Sequence, residues 1–145
     1  MIISARAFTA LEPGLAYRIW KLRQDVFVVE QKCPYPDLDG RDDEAGTRHV
    51  VLESDDGILL GYARVLDDGS TWRVGRVVLA ATERGRGLAD ELVAAALEVS
   101  PDRDVVLDAQ SPLADWYATF GFEVTGPEFL DDGIPHLPMR RTVEA

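Results

Sequence analysis

The chain has a single cysteine, Cys33, among 145 residues. That excludes a disulfide within the chain, and nothing in its thiol content points to an oxidising compartment. It also lacks an excess of positive charge: 15 Lys and Arg stand against 26 Asp and Glu, a formal net charge of −11. General nucleic-acid binding relies on surplus Lys and Arg to neutralise phosphates, so that class is excluded, and an anionic membrane surface is disfavoured for the same reason. No apolar run approaches the roughly 20 residues that a bilayer-spanning helix needs. The first stretch, "MIISARAFTALEPG", has neither the basic start nor the apolar core of a secretory signal. The expectation is a cytoplasmic protein whose acidity serves solubility.

What is present is ordinary for a globular protein: 46% hydrophobic and 28% charged residues, at a length that buries a proper core. No repeat, low-complexity tract or linker interrupts residues 1–145, which read as one mixed α/β domain. "IISARAF" reads as a first strand. Pro13 suits the first turn of a helix, and Leu15, Ile19, Leu22 and Val26 follow at helical spacing. The prolines and glycine of "FVVEQKCPYPDLDG" then impose an ordered loop. "HVVLES", "GILLGYARVL" and "TWRVGRVVL" have Asp-Asp-Gly in both gaps, the signature of an antiparallel meander. The next helix carries Leu88, Leu92, Ala95 and Val99 on one face, and "DVVLDAQ" reads as a buried strand. Pro112 opens a short helix through "LADWYATF", and "GFEVTG" is the following strand. Pro135 and Pro138 restrict the last strand, in "DGIPHLPMRRT", to an edge or bulge, and that strand is the expected route to a homodimer. Trp20, Trp72 and Trp116 are expected in the core or at an interface.

Between the meander and the second helix lies "RGRGLA", residues 84–89. Glycine lets backbone N–H groups approach another molecule, arginine supplies a charged fork, and a helix N-terminus attracts anions. Arg73, Arg76, Arg84 and Arg86 lie within fourteen residues whose one acid is Glu83. On an acidic chain, so local a basic patch fits a small phosphate-bearing ligand. A P-loop is excluded, because the turn lacks the Gly-Lys-Ser/Thr ending. A dinucleotide fingerprint finds two glycines, Gly85 and Gly87, with Asp108 near the right distance. Its third small position is Asp90, however, "AATER" separates it from the strand, and three antiparallel strands precede it. A bare glycine turn into a helix is the remaining local alternative.

The wider pattern favours a ligand. Arg84-Gly85-Arg86-Gly87-Leu88-Ala89 resembles the Arg/Gln-x-x-Gly-x-Gly/Ala motif of the GNAT acetyltransferase superfamily and sits at the family's place, between the fourth strand and its helix. "YATFGF" resembles a second landmark, a Tyr three residues before Phe-Gly. "KLRQDVFVVEQKCPYPDLDGRD" and "EFLDDGIPHLPM" are similar to the ElaA-like branch of that superfamily. The resemblance implies a GNAT-type fold with a mostly antiparallel, splayed central sheet flanked by helices. It implies acetyl-CoA as co-substrate, no metal, and acetyl transfer to a primary amine of a small molecule or protein.

By that resemblance the pyrophosphate lies on the N–H groups of Arg84, Gly85, Arg86, Gly87, Leu88 and Ala89. The pantetheine arm runs along Val77, Val78 and Leu79, pairing with backbone at Val77 and Leu79, and an N–H near Leu79 serves the thioester carbonyl as an oxyanion donor. Gln110 stands where relatives often carry an Asn that bonds the arm. Tyr117 is the candidate general acid for the departing thiolate; the alternative is a tyrosine anchored in the core with its hydroxyl on a carbonyl. "TWRVGRVVL" lacks the carboxylate that many relatives carry on strand four, so Glu30, His49, Asp108 and His136 are candidate bases, unless the amine arrives deprotonated. Glu30, Gln31, Tyr35, Asp39, His49 and His136 are candidate acceptor contacts. "DLDGRDDE" has its glycine at the fourth position where a calcium loop needs it sixth, and reads as a solvated acidic turn. Cys33 is expected to be a buried or incidental thiol. Two other functions stay open: an acyl-CoA-binding regulatory domain without turnover, and a nicotinamide-binding module.

Overall fold

The apolar runs of the meander are buried on both of their faces. Val50 and Leu52 point to one side of the sheet with Ala63 and Val65, while Val51 points to the other with Tyr62 and Val78. Strands covered on both sides need no polar alternation, which is why "HVVLE" reads as a continuous apolar run. The computed structural model describes residues 1–143. Its strands are β1 (Ile2–Arg6), β2 (Arg48–Glu53), β3 (Leu59–Asp67), β4 (Thr71–Leu79), β5 (Asp104–Gln110), β6 (Glu123–Val124), β7 (Phe129–Asp131) and β8 (Ile134–Arg141); its helices are α1 (Pro13–Arg23), α2 (Leu88–Glu98) and α3 (Ala114–Ala118). One sheet runs in the order β1-β2-β3-β4-β5-β8-β6, with β7 beside β8. Every pairing is antiparallel except β4 with β5. None of the described helices is long and apolar enough to cross a membrane.

Pro13 opens α1 as expected, and Leu15 and Ile19 bury its inner face. The helix does not stop at Val26. It widens into a π-helical stretch, Gln24–Glu30, with Gln31 N–H reaching Val26 O at 3.0 Å and Cys33 N–H reaching Val28 O at 3.0 Å. "FVVE" is therefore helical, and the loop begins after it. On α2 the buried residues are Leu88, Leu92, Val93 and Ala96, so the stripe is turned slightly from the expected Leu88, Leu92, Ala95, Val99. Both sets fit a helical period; the sheet beneath selects one.

β8 is not an edge strand: β5 flanks it on one side, β6 and β7 on the other. Its prolines are tolerated because each missing N–H falls beyond a neighbour's end. Pro138 O accepts from Thr125 N–H at 2.9 Å, so its nitrogen faces that same side, where β6 has stopped at Val124. Pro135, three residues away, faces β5, whose pairing ends at His136. β6 and β7 cover β8 only in part, at Met139–Arg140 and Ile134–His136.

Candidate active site

Two irregularities in the sheet create the site. β4 and β5 pair only at Thr71–Arg73 with Asp104–Val106, then separate. Opposite, the β3–β4 register passes from Arg64–Gly75 to Tyr62–Val78, so β4 uses one residue more than β3. The extra residue forms a bulge at Arg76, whose φ of 52° is left-handed and costly for a side chain with Cβ. Beyond the bulge, Ala80 N–H bonds Leu60 O on β3 at 2.9 Å. Alternation then directs the N–H groups of Leu79 and Val77 away from β3 into the opened cleft, and that of Val78 towards β3. Val78 also lines the cleft, although its N–H is turned to β3.

Arg84, which opens the glycine turn, lines the cleft, whereas Gly85, Arg86, Gly87, Leu88 and Ala89 lie outside its lining. Gly85 and Gly87 have φ of 83° and 74°, a conformation that favours glycine, and Gly87 precedes the first turn of α2. A Cβ at either position would meet nothing within 4 Å, so the outer side of the turn is open. Among the described residues no acceptor meets the N–H groups of 84–89. Arg84 is held by Glu30, with its two terminal nitrogens 2.7 and 3.0 Å from the carboxylate oxygens, and Arg86 pairs with Glu83 at 2.8 Å. The Arg84 hydrogen bond pulls the Glu30 carboxyl below its ordinary value.

A cavity of about 440 Å³ occupies the cleft. It brings together Val77, Val78, Leu79, Arg84, Gln110 and Tyr117 from the expected cofactor set, and Glu30, Gln31, Tyr35 and His136 from the expected acceptor set. Cys33 and Asp108 line it too, with Asp131 and Asp132 of the β7–β8 turn, which the sequence reading missed. Gln110 donates to Gln31 Oε1 at 3.3 Å, and Cys33 donates to Asp132 O at 3.3 Å, tying the loop after the π-helical stretch to β5 and to that turn. Burial raises the Cys33 thiol above its usual range. Burial also pushes the Tyr117 hydroxyl up to about 12. Among the described residues it has no carbonyl partner, so the anchored-tyrosine alternative lacks its bond.

Asp39 and His49 do not line the cavity, which corrects the sequence expectation for both. His49 is wholly buried; its Nε2–H donates to Asp42 O at 2.9 Å, so Nδ1 accepts from Tyr62 Oη at 2.6 Å. Burial lowers its pKa, and the ring stays neutral with both nitrogens occupied. Asp39 belongs to an ionic cluster. Buried Arg23 pairs with Asp37 at 2.9 Å and Asp42 at 2.6 Å; buried Arg64 pairs with Asp39 at 2.7 Å and Asp42 at 3.1 Å; Arg76 pairs with Asp37 at 2.8 Å. "DLDGRDDE" is thus solvated only in part, with Asp37 and Asp42 buried in the cluster. Asp37, Asp39 and Asp42 neutralise three arginines from α1, β3 and β4 and fix the loop that carries Cys33 and Tyr35, while Asp43 and Glu44 stay exposed.

This has a consequence in acid. Burial opposes the Asp39 charge, but the hydrogen bond and charge of Arg64 outweigh it and take the pKa from 3.8 to about 2. A depressed folded value contributes stability that is present above the unfolded pKa and lost as pH falls through the folded one. Asp39→Asn is therefore expected to be less stable than wild type at neutral pH, with the gap narrowing between about pH 4 and pH 2. Urea melts across that range measure it; a gap independent of pH contradicts the assignment.

The whole arrangement has known counterparts. Residues 24–143 match the acetyltransferase (GNAT) domain family. The Escherichia coli protein ElaA is 40% identical over 134 residues, 88% of this chain and 87% of ElaA. In structural superposition its crystal structure gives a TM-score of 0.92 at 34% identity, covering 97% of this chain and 99% of that one. An acyl-CoA N-acyltransferase from Pseudomonas aeruginosa gives 0.91 at 36% identity, covering 98% and 100%. A UPF0039 protein of Mycobacterium tuberculosis is 45% identical over 135 residues, 90% of this chain and 86% of its own. The glycine turn, the splayed strands and the sequence itself agree: the chain belongs to the GNAT acetyltransferase family, on its ElaA-like branch.

Proposed function

We propose that the protein transfers an acetyl group from acetyl-CoA to the primary amine of a small molecule or protein. The observation that carries this reading is one continuous cavity joining Arg84 of the turn, Leu79 of β4 and Tyr117 of α3. The chain's donors fit the co-substrate. Six backbone N–H groups without acceptors, on a turn with an open outer side, suit a pyrophosphate, and Arg84 adds a charged fork that the phosphates would share with Glu30. The cleft-facing N–H groups of Val77 and Leu79 suit the amides of the pantetheine arm, with Gln110 beyond them across the cleft.

Acetyl-CoA, when bound, supplies the activated acyl carbon. Leu79 N–H is placed to polarise the thioester carbonyl, as a preorganised donor in a partly dry cleft. Tyr117, protonated at neutral pH because burial holds its pKa at about 12, is placed to give a proton to the departing sulfur. The similarity to an N-acyltransferase from Pseudomonas aeruginosa supports a nitrogen acceptor. Asp131 and Asp132 in the cavity lining suit a cationic one. A second reading, acyl-CoA binding without turnover, is favoured only by the absence of a carboxylate on β4.

Calorimetric titration with acetyl-CoA, with NAD as control ligand, tests the cofactor assignment. Wild type is expected to bind acetyl-CoA and ignore NAD, and Arg84→Ala to bind about 10- to 100-fold more weakly, the worth of a charge-assisted hydrogen bond. Gly87→Ala is expected to lose about 1 kcal/mol of stability from its positive φ and to weaken binding by crowding the phosphates. No acetyl-CoA binding by wild type sinks the reading.

A further inference from the structure

We infer that His136 is the proton acceptor of the transfer, its Nε2 taking the proton that the attacking amine must lose; this rests on the acetyltransferase reading above. Two hydrogen-bonding facts define the ring. Nδ1 lies 2.7 Å from Ile134 O. A carbonyl oxygen only accepts, so Nδ1 carries the hydrogen, and the lone pair of the neutral imidazole is on Nε2. Nε2 has no protein partner among the described residues, and His136 lines the same cavity as Tyr117 and Leu79. Phe129 of β7 stacks on the ring at 5.9 Å and 25°, which fixes its plane.

Strand register supports the placement. His136 stands directly opposite Gln110, so the two side chains leave the sheet on the same face, and both line the cavity. Gln110 is the residue expected against the pantetheine arm. His136 therefore stands one strand further from β4, in the same cavity lining as Asp131 and Asp132.

The competing bases are already engaged. His49 is sealed in the core with both nitrogens bonded. Glu30 makes two hydrogen bonds to Arg84, which stabilise its charge and make it a poor proton acceptor. Asp108 faces Arg73 at 3.5 Å. Cys33 donates its own hydrogen to Asp132 O. Of the four candidate bases Glu30, His49, Asp108 and His136, His136 is the one with a free lone pair of fixed direction on the cleft.

The step balances. The amine lone pair forms the new N–C bond, the C–S bond breaks, and the leaving sulfur takes the Tyr117 proton. The nitrogen's surplus proton passes to His136 Nε2, and Tyr117 and His136 return to their starting states by proton exchange with water. The sum is amine plus thioester giving amide plus thiol.

The test measures CoA-thiol release from acetyl-CoA with spermidine and a lysine-bearing tetrapeptide as amine probes. His136→Gln places a non-basic amide at the Nε2 position, and His136→Asn keeps a donor to Ile134 O but removes Nε2. Both are expected to lower kcat by about 100-fold or more while calorimetry shows acetyl-CoA affinity within about twofold of wild type. Unchanged affinity also certifies a folded site. Wild-type turnover retained within about threefold by either variant overturns the assignment and leaves the transfer reading standing. Wild type that binds acetyl-CoA yet releases no thiol with either probe overturns transfer to such amines, and the role of His136 with it.

Discussion

Replacing Arg23 by methionine is expected to lower stability by about 3–5 kcal/mol, the cost of stranding buried charges whose partner is gone. For a chain of this length that is a fall of roughly 10–15 °C in the thermal midpoint. Arg23 is fully buried at the end of α1 and serves two carboxylates and a carbonyl: Nε to Asp37 Oδ2 at 2.9 Å, Nη1 to Asp42 Oδ1 at 2.6 Å, and Nη2 to Asp37 O at 2.7 Å. Its plane also lies near the rings of Trp20 and Tyr62, at 5.1 and 5.8 Å. Methionine fills most of the volume but offers no donor, so Asp37 and Asp42 keep their burial and lose their counter-charge. Because those aspartates anchor the loop bearing Cys33 and Tyr35, cavity-side function should fail together with stability. Thermal and urea unfolding measure the effect. A cost below about 1 kcal/mol would be the value of an exposed ion pair and would contradict the buried cluster.

Tyr117→Phe is expected to behave oppositely: about 10²- to 10³-fold slower turnover at nearly unchanged stability and acetyl-CoA affinity. The ring packs on Trp116 and Phe122 at centroid distances of 4.7 and 6.1 Å, contacts that phenylalanine preserves. The hydroxyl has no carbonyl partner among the described residues, so its removal orphans no buried group. A loss confined to kcat identifies an interaction made as the bond to sulfur breaks. A loss of affinity instead would make Tyr117 a cofactor contact, and no loss at all would make it a packing residue.

The parts of this structure that were legible in the sequence are those whose cause is local. Gly85 and Gly87 announce a turn whose N–H groups stay open at a helix entry, because glycine has no Cβ in the way, and Asp-Gly pairs announce hairpins. The illegible parts depend on partners far along the chain. The β4 bulge exists only relative to β3, and "TWRVGRVVL" carries no mark of a positive φ at Arg76. The acidic loop looks solvated because its counter-ions, Arg23, Arg64 and Arg76, come from three separate elements. His49 and His136 look alike in sequence, yet one is sealed between Asp42 O and Tyr62 Oη and the other opens on the cleft. Prolines exclude β8 from the interior only if its neighbours run its full length, and they do not.

The most direct test of the central claim is a single reaction of wild-type protein with acetyl-CoA and a primary amine, following free thiol and acetylated amine together by colour reaction and mass spectrometry. The account predicts thiol and amide appearing in equal amounts, and neither appearing without protein. Acetyl-CoA bound tightly but recovered intact would contradict it and leave a domain that senses the thioester without spending it.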